Sequence, residues 1–215
     1  RREAQQADVV VVNHHLFFAD VALKDTGVAE LLPSANTIIF DEAHQLPDTA
    51  TLFFGQTVST SQILELCRDV LAEGLAHARG GPDWAKVVTV VEKAARDLRL
   101  TFPQDIVRMS LAQIAPSSPF FPALDTVKEK LAEMIDVLED QAARAESIEQ
   151  CRVRAVELAA GLDAWKPDTK GKVVEGDQAV LWVEAFSSSL QLHKTPLSIA
   201  PIFSNQREGT PRSWI

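Results

Sequence analysis

Apolar positions along the chain follow two rhythms, and the change from one to the other divides it. Near the start, Val9-Val10-Val11-Val12 and Thr37-Ile38-Ile39-Phe40 are short unbroken runs rich in β-branched residues. Such runs predict strands covered on both faces, as in a parallel sheet. Between them, Leu16-Phe17-Phe18-Ala19-Asp20-Val21-Ala22-Leu23 is apolar and helix-compatible, and Leu31-Leu32-Pro33-Ser34 breaks the chain. Strand, crossover and strand then make a βαβ-like unit, with Asn13-His14-His15 and Asp41-Glu42-Ala43-His44 at the carboxyl ends of its strands. Gln45-Leu46-Pro47-Asp48 predicts a turn, and Leu52-Phe53-Phe54-Gly55 closes this part near residue 57.

From there the period is helical, with almost no strand signal for a hundred residues. Ser59 and Gln62 have capping-box spacing ahead of an apolar stripe of Ile63, Leu66, Cys67, Val70, Leu71 and Leu75, which Gly80-Gly81-Pro82 stops. Asp83 predicts the cap of a second helix with the stripe Trp84, Val87, Val88, Val91, Ala95 and Leu98, ended by Pro103. Residues 115–122 read as a loop holding Phe120 and Phe121 between prolines, rings that either plug onto a core or stack on bases. Leu124, Val127, Leu131, Met134 and Leu138 then alternate three and four apart, as do Ile148, Cys151, Ala155, Leu158, Leu162 and Trp165 after a second cap signal at Ser147 and Gln150. These two seams predict an antiparallel helix pair. Residues 166–172 are a polar linker, after which Ala179–Glu184 and Ser189–His193 read as a strand pair, Pro196–Phe203 as a short apolar element, and Ser213-Trp214-Ile215 as part of a further strand.

The predicted fold class is therefore α/β with a predominantly α insert. Residues 1–56 form part of a parallel-sheet domain, 57–165 an insert of about four helices, and 166–215 a return segment to the first domain.

Charge narrows the partners. The formal net charge of −9 argues against gripping nucleic acid by bulk electrostatics, leaving a local DNA-contacting groove open. Residues 1–56 carry 3 Lys/Arg against 8 Asp/Glu, and residues 57–165 carry 12 against 17, Arg68, Arg96, Arg99, Arg108, Arg144, Arg152 and Arg154 among them. Most of these arginines are expected on solvated helix faces. Cys67 and Cys151 lie within helical stripes and read as core residues, no apolar run is long enough to span a bilayer, and a cytoplasmic setting is expected.

An apolar strand running into Asp41-Glu42 matches the way P-loop nucleotide hydrolases hold Mg²⁺ and orient water, with ligands met beyond the strands' carboxyl ends. Asp41 would bind Mg²⁺ through water, Glu42 would orient and deprotonate the attacking water, and His44 would couple the site to a sensor of nucleotide state. A metal site built from His14, His15, His44 and Glu42 is disfavoured, since no H-E-x-x-H or similar ligand spacing occurs.

Asp41-Glu42-Ala43-His44 is similar to the DEAH form of helicase motif II, and Ala7-Asp8-Val9-Val10-Val11-Val12-Asn13-His14-His15-Leu16 resembles the segment shortly before it in iron–sulphur superfamily 2 DNA helicases of the XPD/DinG type. Ile39–Asp48 and Pro211-Arg212-Ser213-Trp214-Ile215 are similar to the YoaA-like subgroup of that family. The resemblance implies a RecA-like first motor domain with a helical arch inserted after motif II. It also implies ATP with Mg²⁺, single-stranded or forked DNA and replication or repair proteins as partners, movement 5′ to 3′, and a DNA-facing or coupling role for Asn13, His14 and His15. No G-x-x-x-x-G-K-S/T pattern occurs in the 215 residues, and Gly171-Lys172 is followed by Val173. The family's phosphate loop, the four cysteines of its 4Fe–4S cluster and its second motor domain are thus expected outside this sequence, which would make it an internal piece of a helicase, inactive alone. The rival reading is a helical protein-interaction module on an α/β stub.

Overall fold

The computed structural model describes residues 6–25, 31–33, 35–102, 107–166, 179–197 and 212–214. The chain separates into two compact units, one of Arg1–Gly55, Val173–Ala179 and Thr195–Ile215, the other of Gln56–Lys172 and Val180–Lys194. The described fold is mainly helical with a small antiparallel sheet.

In the first unit, α1 (His14–Asp25) is followed by β1 (Thr37–Ile39), a single 3-10 turn (Ala43–Gln45) and α2 (Leu46–Phe54). Phe18, Leu46 and Ala50 form its buried centre, with Phe17, Phe40, Ala43, Phe53 and Phe54 packed around them. The rings meet mostly edge to face, Phe17 on Phe40 at 5.1 Å and Phe18 on Phe54 at 5.9 Å, the geometry that ring quadrupoles favour.

The second unit places α3 (Thr60–His77), α4 (Trp84–Leu100), α5 (Phe120–Gln141) and α6 (Glu146–Leu162) around one core. The Ser59 hydroxyl accepts from Gln62 N–H while the Gln62 carboxamide accepts from Ser59 N–H, completing the predicted capping box. Asp83 caps α4 through Lys86 N–H. The seam Leu124, Val127, Leu131, Met134 and Leu138 is buried along α5, and Ile148, Cys151, Ala155 and Leu162 are buried along α6. Among the described residues four strands complete this unit: β2 (Gln56–Ser59), β3 (Val107–Ser110), β4 (Ala179–Ala185) and β5 (Leu190–Pro196), in the order β2-β5-β4-β3. Val58, Val183, Ala185, Leu190 and Leu192 turn into the helical core.

Several expectations change. Val9–Val12 is not a strand: the segment is irregular, with Val9 79% and Val11 91% exposed, because no partner strand satisfies its backbone in the described residues. Asn13-His14-His15 therefore begins a helix instead of ending a strand. Gln45–Asp48 is helical, since Pro47 stands in the first turn of α2, where its missing N–H costs nothing. Glu146 opens α6 without a side-chain cap, so Ser147 and Gln150 are interior to it. Leu75 is exposed, and Gly74 takes the inward position on α3. Phe120 and Phe121 start α5 and are buried, which withdraws them from base stacking.

The parallel sheet is represented among the described residues by one three-residue pair, β1 with β6 (Arg212–Trp214), in the register Thr37↔Arg212, Ile38↔Ser213, Ile39↔Trp214. This pair is no RecA-like sheet by itself. The linker expected at 166–172 and the element expected at 196–203 lie largely outside the described residues. No described helix is long and apolar enough to cross a membrane.

Candidate functional site

β1 delivers its chain end to Asp41 and Glu42, both exposed. Glu42 sits at φ 51°, ψ 43°, the left-handed region, and is the sole non-glycine with positive φ among the described residues. That conformation costs a β-carbon-bearing residue on the order of 1 kcal/mol, so the surroundings must hold it. Three contacts do so. Glu42 N–H donates to Asp41 Oδ1 at 3.0 Å, Gln45 N–H donates to the Glu42 carbonyl at 2.9 Å, and His44 Nδ1 lies 3.2 Å from Glu42 Oε2. The left-handed residue turns the chain straight from the strand into the 3-10 turn and α2. Both carboxylates are thereby left facing water at the head of a helix, where the backbone dipoles favour negative charge.

The turn is anchored by the aromatic cluster beneath it. Phe40 precedes Asp41 and stacks edge-on with Phe17 of α1; Leu46 follows the turn and is 4% exposed. Asp20, on the buried face of α1, accepts from Leu31 N–H at 2.6 Å and Leu32 N–H at 2.9 Å through one carboxylate oxygen. It ties α1 to the segment that leads into β1. Sequence reading passed over this residue; its signal was a lone acid within an otherwise apolar helix.

The other expected site residues fall as follows. Asn13 Oδ1 accepts from Leu16 N–H at 2.8 Å and its carbonyl accepts from Phe17 N–H, so Asn13 caps α1. His14 opens that helix, and the exposed His15 ring meets Phe53 of α2 edge-on at 6.0 Å. Glu42 and His44 are brought together, Asp41 joins them through the backbone, and Asn13 is engaged in its own helix cap. Among the described residues no group of three His, Cys, Asp or Glu side chains is arranged to hold a metal. Asp41 with Glu42 nevertheless has the hard-oxygen, solvent-open character that suits a hydrated Mg²⁺, an ion that keeps several waters and takes one or two carboxylates besides substrate phosphates.

In the second unit burial pushes the Cys67 thiol up to about 12, with Glu92 adding to the effect. Cys151 is raised the same way. Both are packing residues without thiolate character at neutral pH.

Compared with known proteins, the chain is 32% identical over 216 residues to the ATP-dependent DNA helicase YoaA of Haemophilus influenzae, and 33% identical over 215 residues to that of Escherichia coli K12. The similarity to these YoaA helicases runs over the whole length of the chain. The match runs through the helical unit as well as through residues 7–48 and 211–215. All of this chain is matched, but it spans about a third of the length of these curated relatives (33%). No family model matches the chain.

Proposed function

We propose that these residues form the metal and water side of the nucleotide site in an ATP-dependent DNA helicase, together with the helical unit that follows it. The observation that carries the reading is the exposed Asp41-Glu42 pair at the carboxyl end of β1, held by a left-handed Glu42. A nucleotide's Mg²⁺ would neutralise charge on the transferred phosphoryl group. Asp41 would hold that metal through its water shell. Glu42 would orient the attacking water and accept its proton as the water oxygen bonds to the γ-phosphorus, while the P–O bond to the leaving diphosphate breaks with its electron pair on the diphosphate oxygen. His44, whose Nδ1 lies 3.2 Å from Glu42 Oε2, would couple that carboxylate to the sensor of nucleotide state.

In finer terms, the Asp41–His44 stretch acts as a DEAH box of the XPD/DinG type. The unit containing α3 to α6 acts as the arch that borders a single-stranded DNA path, and motion runs 5′ to 3′. Phosphate-binding groups and a 4Fe–4S cluster would come from polypeptide other than these 215 residues, which contain no G-x-x-x-x-G-K-S/T pattern.

Two measurements test this. The isolated 215-residue chain should show no DNA-stimulated ATP hydrolysis, and turnover above background would overturn the proposal. Grafted in place of the matched third of the Escherichia coli relative, the same residues should support hydrolysis. In that chimera E42Q should lower kcat by about 10²–10⁴-fold, the range for losing a general base, while nucleotide binding persists. A chimera whose E42Q variant keeps its kcat would remove Glu42 from the chemistry.

A further inference from the structure

Outside the candidate nucleotide site, three side chains stack across the sheet of the second unit. Trp182 on β4 lies parallel to the His193 ring on β5, with centroids 3.9 Å apart and planes 11° apart. From the other side the Arg108 guanidinium on β3 covers the Trp182 ring at 4.5 Å. Strand order places β4 between β5 and β3, so the column runs crosswise, His193, Trp182, Arg108, and ends at β3, an edge strand of this sheet among the described residues. Its spacing follows the strand spacing of about 4.8 Å. Met109, Val183 and Leu192 alternate with these residues and pack into or against the core, which leaves the column on the opposite face.

The two ends of the column differ. His193 shares a 3.0 Å hydrogen bond with Thr57 on β2, and its side chain is 16% exposed. Arg108 is 68% exposed and presents an open guanidinium face beyond the sheet edge. One of its terminal nitrogens lies 3.3 Å from both Glu184 oxygens, directly across the register, which holds the guanidinium over the indole. That carboxylate also offsets the guanidinium charge, so the exposed end attracts through its flat π surface more than as a cation for phosphate.

We infer that this column is a stacking site for one unpaired base of a single-stranded nucleic acid, which adds to the outer face of Arg108 and continues the series beyond the edge of β3. Bases stack on arginine planes as they do on aromatic rings, and a base in duplex offers no free face. The inference rests on the proposed DNA-helicase reading for the choice of ligand. The geometry selects the base over the phosphate.

The test is fluorescence anisotropy of a labelled oligothymidylate of about 12 nucleotides with the 215-residue chain at low salt. R108A and R108K should each weaken binding about tenfold, because lysine keeps the charge and loses the plane. An abasic strand with the same phosphates should bind wild type about as weakly as the base-bearing strand binds R108A. Intrinsic fluorescence should be quenched on binding in wild type and less so in W182F, which keeps Trp84, Trp165 and Trp214. Wild-type affinity in R108K, or equal binding of the abasic strand, would overturn the stacking site while leaving the helicase reading intact. Absence of any single-strand binding would overturn both. Arg108 lies on the surface, so its variants should keep the wild-type far-ultraviolet circular dichroism, and the abasic comparison needs no variant.

Discussion

Gly74→Ala exposes the packing logic of the helical unit, because two opposing effects can be weighed. Gly74 is interior to α3 and buried. In an exposed helix, replacing glycine by alanine would stabilise by about 1 kcal/mol. Here a β-carbon would stand 2.3, 2.5 and 2.7 Å from Cδ2, Cε2 and Cγ of Trp84, well inside contact distance. These atoms are at the root and fusion of the indole, which cannot swing aside as a chain end could. Trp84 is 3% exposed and its Nε1–H donates to the Ala78 carbonyl at 3.4 Å, pinning the ring to the end of α3. Relief requires α3 and α4 to separate by about 1 Å, and overpacking of this kind costs about 1–3 kcal/mol or more. The clash therefore outweighs the propensity gain, and G74A should destabilise by about 1–2 kcal/mol net, lowering Tm by roughly 2–8 °C. Thermal unfolding followed by circular dichroism reads this directly. In a double-mutant cycle with W84F the two changes should couple favourably, since the smaller ring makes room for the methyl group. A G74A chain as stable as wild type, or more so, would refute the argument that α3 and α4 approach through this glycine.

Three further outcomes follow from other sites. D20A removes the acceptor for the Leu31 and Leu32 amides and leaves them unsatisfied, which should cost about 2–4 kcal/mol, while D20N keeps one acceptor oxygen and should lose less; denaturant melts of the two variants decide it. E42G removes the β-carbon from a left-handed residue and should leave stability unchanged or slightly raised despite losing the His44 contact, whereas E42V should lower it, both read from Tm. Burial, aided by Arg108 and opposed by Glu184, holds His193 below its ordinary 6.5. The unfolded chain then binds this proton more readily than the folded one, so its contribution to stability is present above pH 6.5 and is lost as pH falls towards the lower folded value. H193Q should flatten stability against pH in that window, and an unchanged slope would exclude His193 as its source.

Much of the helical unit is legible from spacing alone. The α5 seam is buried at each position the three-and-four alternation marks, and Ser59 with Gln62 and Asp83 before Lys86 are caps because their short polar chains reach orphan amides of the first turn. These signals are local, so sequence carries them. The placing of Asp41–His44 just after a strand is legible for the same reason, being one short run that follows β1.

Tertiary structure decided what depends on partners distant in sequence. Val9–Val12 has the composition of a buried strand, yet a strand forms only where another backbone satisfies it. The pairings of Gln56–Ser59 with Thr195-preceding residues of β5, and of Val107–Ser110 with β4, join segments more than seventy positions apart. Those pairings also set Arg108, Trp182 and His193 in one column, a juxtaposition no local pattern announces. Glu42 is the intermediate case: sequence names its carboxylate, and only the folded backbone shows the left-handed turn that aims it. Periodicity, capping and short motifs are properties of neighbouring residues, whereas sheet register and cross-strand stacking arise only when the chain closes on itself.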